Sequence, residues 1–226
     1  LGHIMNSPEF KPVKANRLFA TGRQYDQIDW NDWQGVIDAF RDQIEGWYLR
    51  PIRILRSNGD HSFATLALCC TVVDTLSQYY YGVEESTNTE FKKFLDEHFP
   101  GFSAPLSSPI RYTHKGKQKT AVTFSDVLYT GFRCGIVHEA HAKLYTGISG
   151  TGQMIKEEPV GYTLYADGSN CPTVIVDPAP FHDHLEKVFC NYLSDLRASP
   201  PASQPLRDKF RKKFLRSYGI DIENEQ

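Results

Sequence analysis

The chain has 226 residues, 40% of them hydrophobic and 23% charged, the balance of a soluble globular protein with one sizeable core. A formal charge of −2 excludes global attraction to nucleic acid, so any such contact must come from a local basic patch. No run of about 18 apolar residues occurs, which argues against a membrane span.

Leu1–Phe10 reads as a cleavage and cloning remnant and is set aside. Residues 11–29 read as an N-terminal extension of the domain that follows. Asn31–Arg56 is the first predicted helix, with Asp29 or Asn31 as cap and an apolar stripe of Trp33, Val36, Ile37, Phe40, Ile44 and Trp47. Pro51 is expected to end or kink it. After the turn Asn58-Gly59-Asp60, the segment His61–Gly82 is apolar nearly all round, as a central helix should be, with Gly82 as C-cap. It contains the adjacent Cys69 and Cys70. Five cysteines without CxxC spacing fit reduced thiols in the cytoplasm rather than a disulfide frame or zinc site.

Thr87–His98 is a shorter predicted helix. Pro100–Pro109 reads as a loop, and Ile110–Val122 as a hairpin around His114-Lys115-Gly116-Lys117. Phe124–Tyr145 lacks proline and repeats apolar residues at helical spacing, which predicts one long helix. Short strands follow within 153–176, around Met154–Ile155, Tyr162–Tyr165 and Thr173–Val176. Asp177-Pro178 opens a last core helix, Ala179–Leu196. Ala198–Leu206 is a Pro/Ser linker, Arg207–Tyr218 a basic amphipathic stretch expected to dock, and Asp221–Glu225 an acidic end expected to be disordered. The sum is a mainly α protein: a helical bundle over 30–197 with a small antiparallel β appendage, and a linker and tail over 198–226.

The long helix carries the chemistry. Arg133-Cys134-Gly135-Ile136-Val137-His138 places an arginine and a histidine five residues apart in a largely apolar helix, where such residues need a partner or a task. Five residues turn about 140° and rise about 7.5 Å, so the two side chains sit on adjoining faces. A near-neutral histidine moves protons, and an arginine fork holds a phosphate as its charge builds. Together they suit metal-independent RNA cleavage by the 2′-hydroxyl. The bland alternative pairs Arg133 with a core carboxylate such as Asp74, the charge that interrupts the central helix.

Other features are weighed alongside. His138-Glu139-Ala140-His141 differs from the zincin spacing, and His182-x-His184 does not complete a recognisable metal set, so no metal or other cofactor is expected. Arg111, Lys115, Lys117 and Lys119, with His114, form the densest basic cluster and are candidate RNA contacts. Asp74, Cys134, Glu139 and His141 are candidate supporting groups. No P-loop, nucleophile elbow or internal repeat occurs.

An arginine, four to six residues, then a histidine, in the helix before the last core helix of a helical domain, resembles the HEPN family, many of whose members are ribonucleases. The wording Phe132-Arg133-Cys134-Gly135-Ile136-Val137-His138-Glu139-Ala140 is similar to HEPN-like bacterial proteins, over roughly Trp30–Arg197. The resemblance implies a homodimer through the motif helix, Arg133 and His138 as the catalytic pair, RNA as substrate, and 2′,3′-cyclic phosphate products. It further implies a bacterial defence or toxin setting with an antitoxin or defence-system partner. Active members often carry Asn, Asp or His after the arginine, where this chain has Cys134. That departure supports the alternative, a non-catalytic helical dimerisation or interaction module. A metal-dependent hydrolase using His138 and His141 is a third reading.

Overall fold

The computed structural model describes residues 17–59, 61–114, 116–139, 141–143, 145–164 and 170–222, without the side chains of 114, 137–139, 159–164, 170 and 171. Leu18–Ala20 (β1) and Arg23–Gln24 (β2) pair as a short antiparallel ribbon. Phe19 is fully buried there, its ring edge-on to Tyr25 and Trp30. The first strand therefore belongs to the same core as the helices.

Helix α1 (Trp33–Ile44) is capped by Asp32, which accepts from the Gln34 N–H at 3.0 Å. Asp29, an expected cap, instead accepts from the Asn31 N–H and shapes the preceding turn. The helix does not stop at Pro51. A π-helical turn, Glu45–Leu49, leads into α2 (Arg50–Ser57), and the Arg50 N–H reaches back five residues to the Glu45 carbonyl. The wider turn gives room where a proline ring would otherwise strike the carbonyl four residues earlier.

Central helix α3 (Ser62–Tyr81) ends at Gly82 in the left-handed conformation, as its sequence predicts. A Cβ at Gly82 would stand 3.0 Å from Lys209 Cα, so both the positive φ and the close crossing require glycine. Helix α4 (Asn88–His98) starts with a capping box between Thr87 and Glu90. The hairpin of β3 (Pro105–His114) and β4 (Lys117–Thr123) is longer than expected, because β3 takes in residues of the proline-rich stretch through an irregularity between Pro105 and Ile110.

The motif helix departs from its predicted span. It runs as α5 (Phe124–Val127), a π-helical segment Leu128–Arg133 and α6 (Cys134–Glu139). It stops at Glu139 rather than Tyr145 because the chain turns back on it. The His141 N–H donates to the Gly135 carbonyl and the Lys143 N–H to the Gly131 carbonyl. A Cβ at Gly131 would lie 2.5 Å from Thr146 Cγ2, and one at Gly135 2.5 Å from the His141 oxygen. The two glycines admit the returning strand.

That strand is β5 (Thr146–Ile148), which joins β6 (Ile155–Leu164) and β7 (Asn170–Val176) in the order β5-β7-β6. The expectation of purely antiparallel pairing is corrected at one edge. β7 is antiparallel to β6 but parallel to β5, since the chain reverses twice between them.

Helix α7 (Pro178–Arg197) is capped by buried Asp177, whose carboxylate accepts from Ala179, Thr151 and Gly152 N–H groups at 3.0, 2.8 and 2.8 Å. One side chain thus joins the helix start to the β5–β6 connection. Asp177→Ala leaves three backbone donors without it, and unfolding in urea is expected to show a loss of about 2–4 kcal/mol. Asp177→Asn, which keeps one acceptor, should lose less.

Helix α8 (Gln204–Tyr218) begins inside the predicted linker, with Pro205 in its first turn. It docks as expected of its apolar face: Phe210 and Phe214 are fully buried. Arg207 donates to the carbonyls of Leu196 and Ala198, a cation set on the last carbonyls of α7. Trp33 Nε1 donates to that same Leu196 carbonyl at 3.0 Å. α3 packs against α2, α4, α7 and α8, making it the centre of a mainly helical core with small sheets at the side. Among the described residues, no helix is long and apolar enough to cross a membrane.

Candidate functional site

Arg133 closes the π-helical segment, and the Cys134 N–H that follows it reaches back five residues to the Tyr129 carbonyl. Such wide turns recur at functional sites because they re-aim a side chain within a continuous helix. The Arg133 guanidinium meets Asp74 of α3 through Nη2 at 2.9 Å. The two side chains are 18% and 20% exposed. Asp74 also accepts from the Ser86 hydroxyl, which tethers the connection after α3. Tyr129, one turn before Arg133, places its ring face 5.6 Å from the guanidinium carbon.

Burial works against the Arg133 cation, but the hydrogen bond and charge of Asp74 outweigh it and raise its pKa above the usual value. Burial likewise pushes the neighbouring Cys70 thiol up to about 12, Arg133 opposing and Asp74 adding to the effect. Cys70 is therefore no nucleophile at neutral pH. Cys134 is half-buried next to Arg133.

His138 and Glu139 are residues of α6, and their side chains fall outside the described part of the structure, as does all of Lys115. His141 is exposed at the turn that ends α6. The structure therefore brings Arg133 together with Asp74 and Cys134, and puts His138 in the same helix by backbone.

The basic cluster is divided by the register of the hairpin. Arg111 lies opposite Thr120, whereas Lys119 lies opposite Tyr112 and Lys117 opposite His114. Side chains alternate along a strand, so Arg111 is on one face and the two lysines on the other. Arg111, Lys117 and Lys119 are exposed but do not form one phosphate-binding face.

No family model, curated protein or solved structure matches this chain. Its chemistry must be read from its own residues.

A second polar cluster joins α2 to α7. Arg56 lies 2.6 Å from both His182 Nδ1 and Asp183 Oδ1. Arginine only donates, so His182 accepts at Nδ1 and its proton sits on Nε2, which lies 3.4 Å from Glu186. Arg53 bonds both Glu186 and Glu45. His182, Asp183 and Glu186 bring donor atoms within 4.8 Å of one another, a spacing suited to a metal ion. Two guanidinium groups already engage this set, so its present chemistry is an ion network between helices. The two histidines of His182-x-His184 diverge, because His184 Nε2 meets the His98 carbonyl at 2.8 Å. Sequence reasoning missed Arg56 and Glu186; the His182–Glu186 helical spacing of four was the available signal.

Burial lowers the pKa of both His98 and His182, more strongly than nearby carboxylates raise it. Their folded pKa values lie below the unfolded value of about 6.5, so the unfolded chain binds protons first. This contribution to stability is present above pH 6.5 and lost as pH falls through the folded values. The melting temperature should therefore drop between pH 7 and 5, and His98→Gln with His182→Gln should flatten that slope. The lowered Asp126 and Asp183 add a further loss in the more acid range below about pH 4.

Proposed function

We propose that the chain is a metal-independent endoribonuclease of HEPN type. The observation that carries this reading is an arginine at the π-to-α junction of the motif helix, one-fifth exposed and aimed by a carboxylate of the central helix α3. In the mechanism, His138 takes the proton of the 2′-hydroxyl or returns one to the leaving oxygen, and Arg133 stabilises the charge on the pentacoordinate phosphate. Asp74 positions the guanidinium. A second copy, facing the motif helix across a two-fold axis, supplies a second pair. The setting that accompanies this reading is a cytoplasmic bacterial toxin or defence protein with a regulatory partner.

A second reading is favoured by the same ion pair. Arg133 engaged by Asp74, with Cys134 beside it, equally suits a helical interaction module that keeps the bundle without the chemistry. Single-stranded RNA incubated with the purified protein in excess EDTA separates the readings. Cleavage that persists under chelation and leaves 2′,3′-cyclic phosphate ends supports the nuclease. Cleavage abolished by EDTA points to a metal-dependent hydrolase, and no cleavage by an intact dimer to the interaction module.

A further inference from the structure

An open pocket of about 170 Å³ lies where the π-helical turn Glu45–Leu49 meets α3 and α8. It is lined by Trp47 and Tyr48 of the turn, Thr75 and Gln78 of α3, and Lys213 and Tyr218 of α8. The apolar stripe of the first helix predicts Trp47 in the core. Its side chain is instead 43% exposed, because the wider turn rotates it off that stripe.

The pocket adjoins the Arg133 site. Gln78 lies four residues after Asp74, the carboxylate that holds Arg133, and is therefore on the same side of α3, about 6 Å along it. Burial lowers the Lys213 pKa, and the charges of Glu84 and then Asp74 oppose it, so pocket and site share one electrostatic neighbourhood.

Some polar groups of the lining are occupied. Gln43 donates to the Phe19 carbonyl and accepts from Tyr218, and Thr75 donates to the Thr71 carbonyl. Lys213 donates to the Glu84 carbonyl at 2.6 Å. By contrast, the half-buried Gln78 amide and the Trp47 indole N–H make no hydrogen bond to another described residue. Lys213 brings the one full charge of the lining, and no carboxylate lies in it. Exposed Arg50 and Arg216 stand one turn from Trp47 and Lys213.

We propose that this pocket seats one unpaired base of the RNA strand beside the phosphate that Arg133 holds, the base stacked on Trp47 and its edge paired with the Gln78 amide. RNA as the ligand rests on the ribonuclease reading; the seat itself is tested apart from cleavage. Every base has a π-face, so an accessible indole can hold any of them. The open Watson–Crick edge of an unpaired base sets a donor beside an acceptor, and a carboxamide offers the matching pair. A base within a duplex has neither edge nor face free, so the pocket selects single strands. The basic rim suits the flanking phosphates. The volume lies below the roughly 300–1,000 Å³ of pockets for drug-sized molecules, so one ring system fits rather than a whole nucleotide.

The probe is a short oligodeoxyadenylate, which lacks the 2′-hydroxyl needed for cleavage, set against an abasic strand of the same length and charge. Binding is followed by tryptophan fluorescence and calorimetry. The deoxyadenylate is expected to bind saturably with Kd on the order of 10 μM at low salt, and the abasic strand at least about 10-fold more weakly. Trp47→Ala should weaken the deoxyadenylate about 10-fold while leaving the abasic strand within about twofold. Gln78→Leu, of similar volume, should weaken it about fivefold. Cleavage of an all-ribose strand in excess EDTA is assayed in parallel. Base-dependent binding without cleavage supports the seat and removes only the nuclease chemistry. Three results overturn the seat, with or without cleavage: no saturable binding of the deoxyadenylate, equal binding of the abasic strand, or deoxyadenylate binding unchanged in both variants.

Discussion

Arg133→Ala is expected to lower the rate of RNA cleavage by at least about 10²-fold, the usual cost of losing a preorganised group at a developing charge. The guanidinium is held by Asp74 at 2.9 Å, so its direction is set before any phosphate arrives. Arg133→Lys keeps the charge but loses the planar fork, and should recover only part of the activity. His138→Ala should reduce the rate by about 10²–10⁴-fold, as for other general acids and bases. A structural contribution must be separated from this, because Arg133→Ala also strips Asp74 of its cation. With Ser86 still donating to that carboxylate and the pair one-fifth exposed, the stability loss should stay near 1–2 kcal/mol. Rates are therefore compared where urea curves show every variant fully folded. Asp74→Asn completes the set. It keeps an acceptor near Arg133 and removes the charge, so it should slow cleavage less than Arg133→Ala does. Cleavage undiminished in both Arg133→Ala and His138→Ala would falsify the catalytic assignment.

The sequence made the helices legible wherever a local signal was strong and uncontested. Gly82 after an all-apolar run marked the end of α3, and Asp177-Pro178 marked the start of α7. Helix ends set by distant parts of the chain were not legible. Nothing near Glu139 breaks a helix; the motif helix ends there because residues 141–143 and 145–146 fold back over Gly131 and Gly135. Those two glycines were a signal of close approach, but only the structure shows what approaches. Pro51 marked an irregularity without giving its form: the helix runs on to Ser57, with a π-helical turn just before the proline.

The candidate site was half legible on the same principle. A charge in the middle of the central helix had to find a partner, and Arg133 was among the few available cations in a helix that packs beside it. Ser86 and Tyr129 escaped notice because a hydroxyl after a helix and a tyrosine inside one carry no signal of their own. The hairpin lysines were read as one patch because sequence proximity looks like spatial proximity. Strand alternation then separated Arg111 from Lys117 and Lys119. Any RNA path across this surface must use the two faces differently.

Phe210→Ala should produce the largest loss of stability, about 3–5 kcal/mol, the range for truncating a fully buried phenylalanine. The ring is completely covered, with centroids 5.2 Å from Phe40, 5.2 Å from Tyr79 and 5.6 Å from Trp33. It therefore joins α8 to both α1 and α3. Leu215→Ala, five residues on and 43% exposed, should change stability by no more than about 0.5 kcal/mol. The shape of the urea transition decides what the helix is to the fold. If α8 were an appendage clamped to a finished domain, Phe210→Ala would release it alone, leaving the main midpoint in place and opening residues 198–206 to protease. The arrangement argues otherwise. Arg207 and Trp33 share the Leu196 carbonyl, Lys213 donates to the Glu84 carbonyl, and Tyr218 donates to Gln43. These bonds tie α8 to α7, to the connection after α3 and to α1, so its loss exposes the centre of the core. A single transition, shifted to lower urea with its slope unchanged, is the expected result.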